Sequence, residues 1–280
     1  MWLLAAQAYI YLHLLKKTLT RYPLQASEQW LLHWLAGMDD SLLREIVRWR
    51  TVTRSGCPTE VLFHPAIRAA GLDWPAEAET MVGLFRLDNL HHCIIDILCQ
   101  GVPGDLIETG VWRGGASIFM RAVLKAYGDT RRNVWLADSF QGLPKPDVTN
   151  YPADQEDELW KFQELAVPLE TVKHNFERYG LLDDQVHFVQ GWFRDTLPTA
   201  PIDRLALLRL DGDMYESTMV ALRSLYHKVS PGGYVIVDDY GATPACRQAV
   251  DDFRRDFGAC EPLWPIDWGG VFWQVGNTSR

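Results

Sequence analysis

The chain has 280 residues, 48% of them hydrophobic and 22% charged, which supplies a full core and excludes a disordered chain. Its 36 acidic residues outnumber its 27 basic ones, and the formal net charge of −9 has the wrong sign for a nucleic-acid partner. The cysteines Cys57, Cys93, Cys99, Cys246 and Cys260 show no C-x-x-C spacing, which argues against a zinc site or disulfide framework and for reduced thiols in a cytoplasmic protein.

The first predicted element is an apolar run from Trp2 to Leu15, interrupted by Gln7 and His13 and stopped by Lys16-Lys17. It falls short of the roughly 20 residues that span a bilayer and lacks the positive start of a signal peptide. A helix packed on the body or on another subunit is expected, hence a homo-oligomer with no transmembrane segment; a membrane-surface helix is the competing reading. Up to about residue 75, positions such as Trp30, Trp34, Leu42, Leu43, Ile46 and Val47 follow helical spacing. Ser55-Gly56-Cys57-Pro58 and Asp73-Trp74-Pro75 punctuate them, because proline turns its preceding residue away from helix. Residues 1–76 are assigned to a helical region serving oligomerisation or as a substrate lid, and 77–280 to an α/β domain.

From Glu77 a helix runs to about Leu98, followed by a strand at Asp105 to Thr109, a glycine-rich turn and a helix from Ala116 to about Tyr127, the opening of a doubly wound sheet. A strand at Val134 to Asp138 leads into a long polar stretch and then a helix from about Leu169 to Tyr179. Strands follow at Val186 to Gln190, Leu205 to Leu210 and Tyr234 to Val237, with helices at Ser217 to Val229 and Pro244 to Phe257. Val271 to Val275, after Trp268-Gly269-Gly270, is expected as an antiparallel edge hairpin. The unbroken apolar run Leu205-Ala206-Leu207-Leu208 fits a strand buried on both faces, and ligands in such sheets bind at the strands' carboxyl ends.

Four stations at those ends carry chemistry. The first is Glu108-Thr109-Gly110-Val111-Trp112-Arg113-Gly114-Gly115-Ala116-Ser117, whose glycines permit a tight turn and close approach of backbone to a ligand. It has neither the dinucleotide fingerprint nor a P-loop, which counts against a nicotinamide-dependent oxidoreductase. Its acidic residue suits a cofactor presenting hydroxyls and positive charge, as S-adenosylmethionine does. The second is Asp138-Ser139, placed either to accept ribose hydrogen bonds or to cap a turn. Gly191-Trp192-Phe193 is the third, a flat aromatic surface for an adenine or an ordinary core tryptophan.

The fourth station joins Leu210-Asp211-Gly212-Asp213 to Val237-Asp238-Asp239-Tyr240, which brings four carboxylates to one sheet edge. Uncompensated, they would repel by several kcal/mol, so a cation is expected. Oxygen donors without paired His or Cys favour magnesium. The pairs Asp39-Asp40, Asp183-Asp184 and Asp251-Asp252 read instead as solvated faces or caps, and His91, His92 and His174 lie on helical stretches.

These stretches, with Tyr11 to Thr20, Arg86-Leu87-Asp88-Asn89 and Ala137 to Pro144, resemble the macrocin O-methyltransferase (TylF-like) family of natural-product and antibiotic biosynthesis. The resemblance implies a class I S-adenosylmethionine-dependent methyltransferase fold, a Rossmann-like seven-stranded sheet with helices on both faces. It further implies an S-adenosylmethionine- and Mg2+-dependent O-methyltransferase acting on a sugar or phenolic hydroxyl of a small natural product, macrolide-like or aminocoumarin-like. A catechol-type small-phenol methyltransferase and a non-catalytic S-adenosylmethionine-binding protein are the alternatives. Carried over by position, Met81, Glu108, Thr109, Gly110, Gly114, Ser117, Asp138, Ser139, Gly191, Trp192 and Asp211 would meet the cofactor, with Glu108 or Asp138 on the ribose. Asp211, Asp238 and Asp239 would hold the metal, leaving Asp213 as general base. The stretch from Gln141 to Leu165 is expected to form a lid over the cofactor.

Overall fold

A computed structural model describes residues 2–22, 65–72 and 77–276. The expectations at Trp30, Trp34, Leu42 to Val47, Ser55 to Pro58 and Asp73 to Pro75 lie outside the described residues. The helices are α1 (Trp2–Leu19), α2 (Pro65–Ala69), α3 (Gly83–Gln100), α4 (Gly115–Ala126), α5 (Leu169–Arg178), α6 (Phe193–Thr196), α7 (Tyr215–Leu225) and α8 (Pro244–Phe257). The strands are β1 (Asp105–Thr109), β2 (Val134–Asp138), β3 (Val186–Gln190), β4 (Leu205–Leu210), β5 (Val229–Val237), β6 (Trp264–Pro265) and β7 (Val271–Gln274).

These strands form one sheet in the order β3-β2-β1-β4-β5-β7-β6. The first five run parallel, and β7 lies antiparallel between β5 and β6. This is the arrangement the family resemblance implied. Side-chain alternation sorts the core into two layers. Leu106, Leu136 and Ile236 face α1, α3, α4 and α5 through residues such as Leu12, Ile94, Phe119 and Phe176. Ile107, Leu208 and Val235 face α7 and α8 through Leu222 and Phe253.

The register sets the functional edge. Thr109 is level with Ala137 and Leu210, and Leu210 with Val237, so the residues that follow each strand emerge side by side. Backbone bonds continue the alignment one step further: Gly110 N–H donates to Ala137 O, Asp211 N–H to Thr109 O and Asp238 N–H to Leu210 O.

Several boundaries differ from the sequence reading. The helix expected from Glu77 begins at Gly83, because Glu79 and Thr80 donate to Leu19 O, while Glu79 O accepts from Gly115 N–H, holding the segment extended. α1 runs through Lys16-Lys17 to Leu19, since the buried Lys16 ammonium bonds Asp88 at 2.7 Å and needs no solvent. α7 starts at Tyr215, ahead of Ser217, and β5 starts at Val229, five residues early, paired with Leu205 across a register shift. The tail is a hairpin as expected, but β7 is enclosed by its pairing with β5, and β6 takes the edge. Among the described residues the four cysteines are free, and no helix is long and apolar enough to cross a membrane.

Candidate active site

Gly110 ends β1 at a φ of +91°, and a Cβ added there would stand 1.7 Å from Asp211 O, so only glycine lets the β1 and β4 exits meet. Trp112 and Phe140 also take left-handed φ values, +48° and +55°, in the turns that leave β1 and β2. The Asp138 carboxylate fastens these turns together by accepting the N–H of Val111 and of Phe140, each at 2.7 Å. Burial raises its pKa, opposed by those two donors. Asp138 therefore caps the turns, and it also lines the cavity.

That cavity is a cleft with about 710 Å³ of empty space, part of it open to solvent. Of the residues assigned from the sequence, Gly110, Asp138, Ser139, Trp192, Asp211 and Asp213 line it. The walls also include Gly142, Leu143, Pro144 and Leu165 from the expected lid, Phe193 from the third station, and Arg194, Glu216 and Ser217, which the sequence does not single out as ligand-facing. Met81, Glu108, Thr109, Gly114, Ser117, Gly191, Asp238 and Asp239 are not part of the lining. Glu108 is buried behind it, accepting from Ser117 Oγ and Arg209 Nη1. Burial pushes Glu108 up to about 7, with Arg209 and the Ser117 hydroxyl acting in the opposite sense. Thr109 Oγ1 donates to Arg209 O at 3.3 Å. Met81 lies at the entry to α3, its carbonyl packed against Gly71.

The four carboxylates expected at one edge do converge. Asp211, Asp238 and Asp239 each offer an oxygen, and these oxygens lie within 4.8 Å of one another. Asp213, at φ +56°, donates its backbone N–H to Asp239 Oδ2 at 3.2 Å. Two arginines missed in the sequence reading enter the same cluster. Arg209 donates to Asp211 at 2.7 Å and to Asp238; Arg86 donates to Asp238 and, through Nε, to Asp267 at 2.8 Å. Each carried a signal: an arginine inside the apolar strand Leu205 to Leu210, and another on the buried side of α3.

The two guanidiniums pair with the carboxyl groups of Glu108, Asp211, Asp238 and Asp267, and Asp239 and Asp213 lie beside them, so acidic groups outnumber the cations. Burial first, then the neighbouring Asp213, Asp211 and Asp238, raises Asp239 well above the carboxylate range. Burial and Asp238 likewise push Asp211 up to about 6. An all-oxygen donor set with surplus negative charge suits a hard divalent cation, and the residues present fit magnesium.

The family model described as macrocin O-methyltransferase (TylF) matches residues 8–275. A tetracenomycin-type 4'-O-methyltransferase of Streptomyces olivaceus, whose name specifies a 2,3-dimethoxy-α-L-rhamnosyl substrate, is 60% identical over 76% of this chain and 81% of its own length. A mycinamicin III 3''-O-methyltransferase of Micromonospora griseorubida is 52% identical over 79% and 87%. The solved structure of the O-methyltransferase NovP superposes with a TM-score of 0.81 at 44% identity, covering 96% of this chain and all of that one. A calicheamicin methyltransferase, CalS11, shares the fold at 19% identity and a TM-score of 0.56, over 86% and 95%. With this sheet, these strand exits and a match over nearly its whole length, the chain belongs to the macrocin O-methyltransferase family and is an O-methyltransferase of class I fold.

Proposed function

We propose that this enzyme transfers a methyl group from S-adenosylmethionine to a sugar hydroxyl of a glycosylated natural product, with magnesium held by Asp211, Asp238 and Asp239. The observation that carries the reading is the convergence of those three carboxylates beside a cavity lined by Gly110, Asp138 and Trp192. The rhamnosyl substrate in the Streptomyces olivaceus relative's name supports the acceptor class. When bound, magnesium supplies Lewis-acid polarisation of the acceptor hydroxyl and S-adenosylmethionine supplies the methyl group.

The chain's own residues do the rest. Asp138 is the carboxylate that meets the ribose hydroxyls, since Glu108 is spent on Ser117 and Arg209 behind the wall. Gly110 permits close approach below the cofactor's methionine end, and the Trp192 ring borders the adenine. Asp213 takes the proton from the acceptor hydroxyl, and a positioned base of this kind contributes about a hundredfold to ten-thousandfold. Arg209 and Arg86 hold Asp238 at the metal position, and the lid residues Gly142 to Pro144 and Leu165 exclude water.

The test is methyl transfer from S-adenosylmethionine to a panel of glycosylated and free phenolic acceptors, before and after chelation. Turnover on a glycosylated acceptor that stops with EDTA and returns with magnesium is expected. Chelator-insensitive turnover would remove the metal from the reading, and turnover on simple phenols alone would move it to the catechol type.

A further inference from the structure

The segment from Gln141 to Leu165 borders the cavity, and one of its acidic side chains is completely buried. Asp154, closing the 3₁₀ turn Pro152–Asp154, is 0% exposed, and its carboxylate accepts the backbone N–H of Tyr215 at 2.6 Å and of Glu216 at 3.0 Å. Those are the first two residues of α7, and a helix start leaves its first N–H groups without partners in the helix. The acceptor ordinarily belongs to the residue just before the helix. Here that residue is Met214, which makes no side-chain cap, and the acceptor comes from 61 residues earlier in the chain. A carboxylate also suits the positive end of the helix dipole. The Tyr151 ring, 6.1 Å from that of Tyr215, extends the contact.

The helix so capped begins directly after Gly212-Asp213-Met214. Asp213 there adopts a φ of +56°, a conformation that residues with a Cβ seldom take. The turn is held by Met214 N–H on Gly212 O and by Asp213 N–H on Asp239 Oδ2. Gly212, Asp213, Glu216 and Ser217 all face the cavity. The far end of the same segment is tied to the opposite wall, where Trp112 Nε1 donates to Glu164 O at 2.9 Å.

We propose that Asp154 is a positioning residue: by capping α7 from the lid, it makes closure of the lid and ordering of the Asp213 turn a single event. With the lid lifted, the Tyr215 and Glu216 N–H groups lose their acceptor, the first turn of α7 frays, and Asp213 loses its support on the C-terminal side. The consequence for turnover rests on the reading of Asp213 as the base; the coupling itself does not.

Hydrogen–deuterium exchange and steady-state kinetics on the full chain test this with Asp154→Ala and Asp154→Asn. In the wild type, S-adenosylhomocysteine is expected to protect residues 141–165 and 213–218 together. In Asp154→Ala, residues 213–218 should exchange about tenfold faster and stay unprotected on ligand addition. Its kcat should fall about tenfold or more, while KM for S-adenosylmethionine changes less than about threefold. Asp154→Asn, which keeps one carbonyl acceptor, should lie between, and it carries the test if the alanine variant does not fold. Unchanged exchange at 213–218 would overturn the coupling, and an unchanged kcat in Asp154→Ala, where Asp213→Asn does lose turnover, would overturn the positioning role. Turnover that survives Asp213→Asn would sink the base assignment alone. Failure of S-adenosylhomocysteine to bind would sink the cofactor reading, and the ligand-free exchange comparison would still decide the coupling.

Discussion

Asp213 and Arg209 stand four positions apart on one strand exit, and their substitution separates chemistry from stability. Replacing Asp213 by Asn removes the proposed proton acceptor but not the backbone bond to Asp239. kcat should drop about 10²- to 10⁴-fold, with S-adenosylhomocysteine affinity by calorimetry kept within about twofold. Arg209→Leu leaves the buried Glu108 and Asp238 and the neighbouring Asp211 without their shared guanidinium, and stripping one partner from such a network costs about 3–5 kcal/mol, to be read from urea unfolding. Gly110→Ala forces a Cβ toward Asp211 O at a left-handed φ, and should lower both the melting temperature and cofactor affinity. The acidic residues of the site were legible because each closes an apolar strand or lies within three residues of its end. Asp154 was not, because the N–H groups it caps lie on a helix far along the chain, and no local pattern links the two.

At the level of elements, α1 is fastened to α3 by a polar seam within an otherwise apolar contact. Lys16 bonds Asp88 and the Nδ1 of His91, the latter at 3.1 Å. Burial, then the Lys16 charge, pushes His91 down to about 4, whereas an unfolded imidazole takes its proton near 6.5. The unfolded chain thus binds more protons as the pH falls from about 6.5 to about 4, and stability is lost over that window, fully present above it. His91→Gln should flatten that part of a plot of melting temperature against pH; an unchanged slope would show that the seam does not titrate. A lysine pair reads locally as a helix boundary, while Asp88, 72 residues away, is what lets Lys16 be buried and α1 continue. Strand positions fared better: β1 to β4 fall where period and apolar runs place them, and β4, buried on both faces, announces itself locally in the unbroken apolar run Leu205 to Leu208.

Across the whole molecule, the parallel register brings the ends of β1, β2, β4 and β5 level, so Gly110, Asp138, Asp211 and Asp238 emerge at one edge. Alternating strands and helices were enough to infer that edge, and the match to the family extends it over residues 8–275. What the alternation does not encode is how the edge's charge is shared. Four aspartates read as an uncompensated cluster turn out to include two already held by arginine, and Arg86 and Arg209 reach them from a helix and from the neighbouring strand face. A dication can bind at this edge only if negative charge is left over once the arginines are paired. Calorimetric titration of the full chain with magnesium, in the presence of S-adenosylhomocysteine, measures this directly in the wild type and in Asp239→Asn. One ion per wild-type chain, with binding weakened about tenfold or more in the variant, is the expected result. Equal binding by both proteins, or none by the wild type, would contradict it.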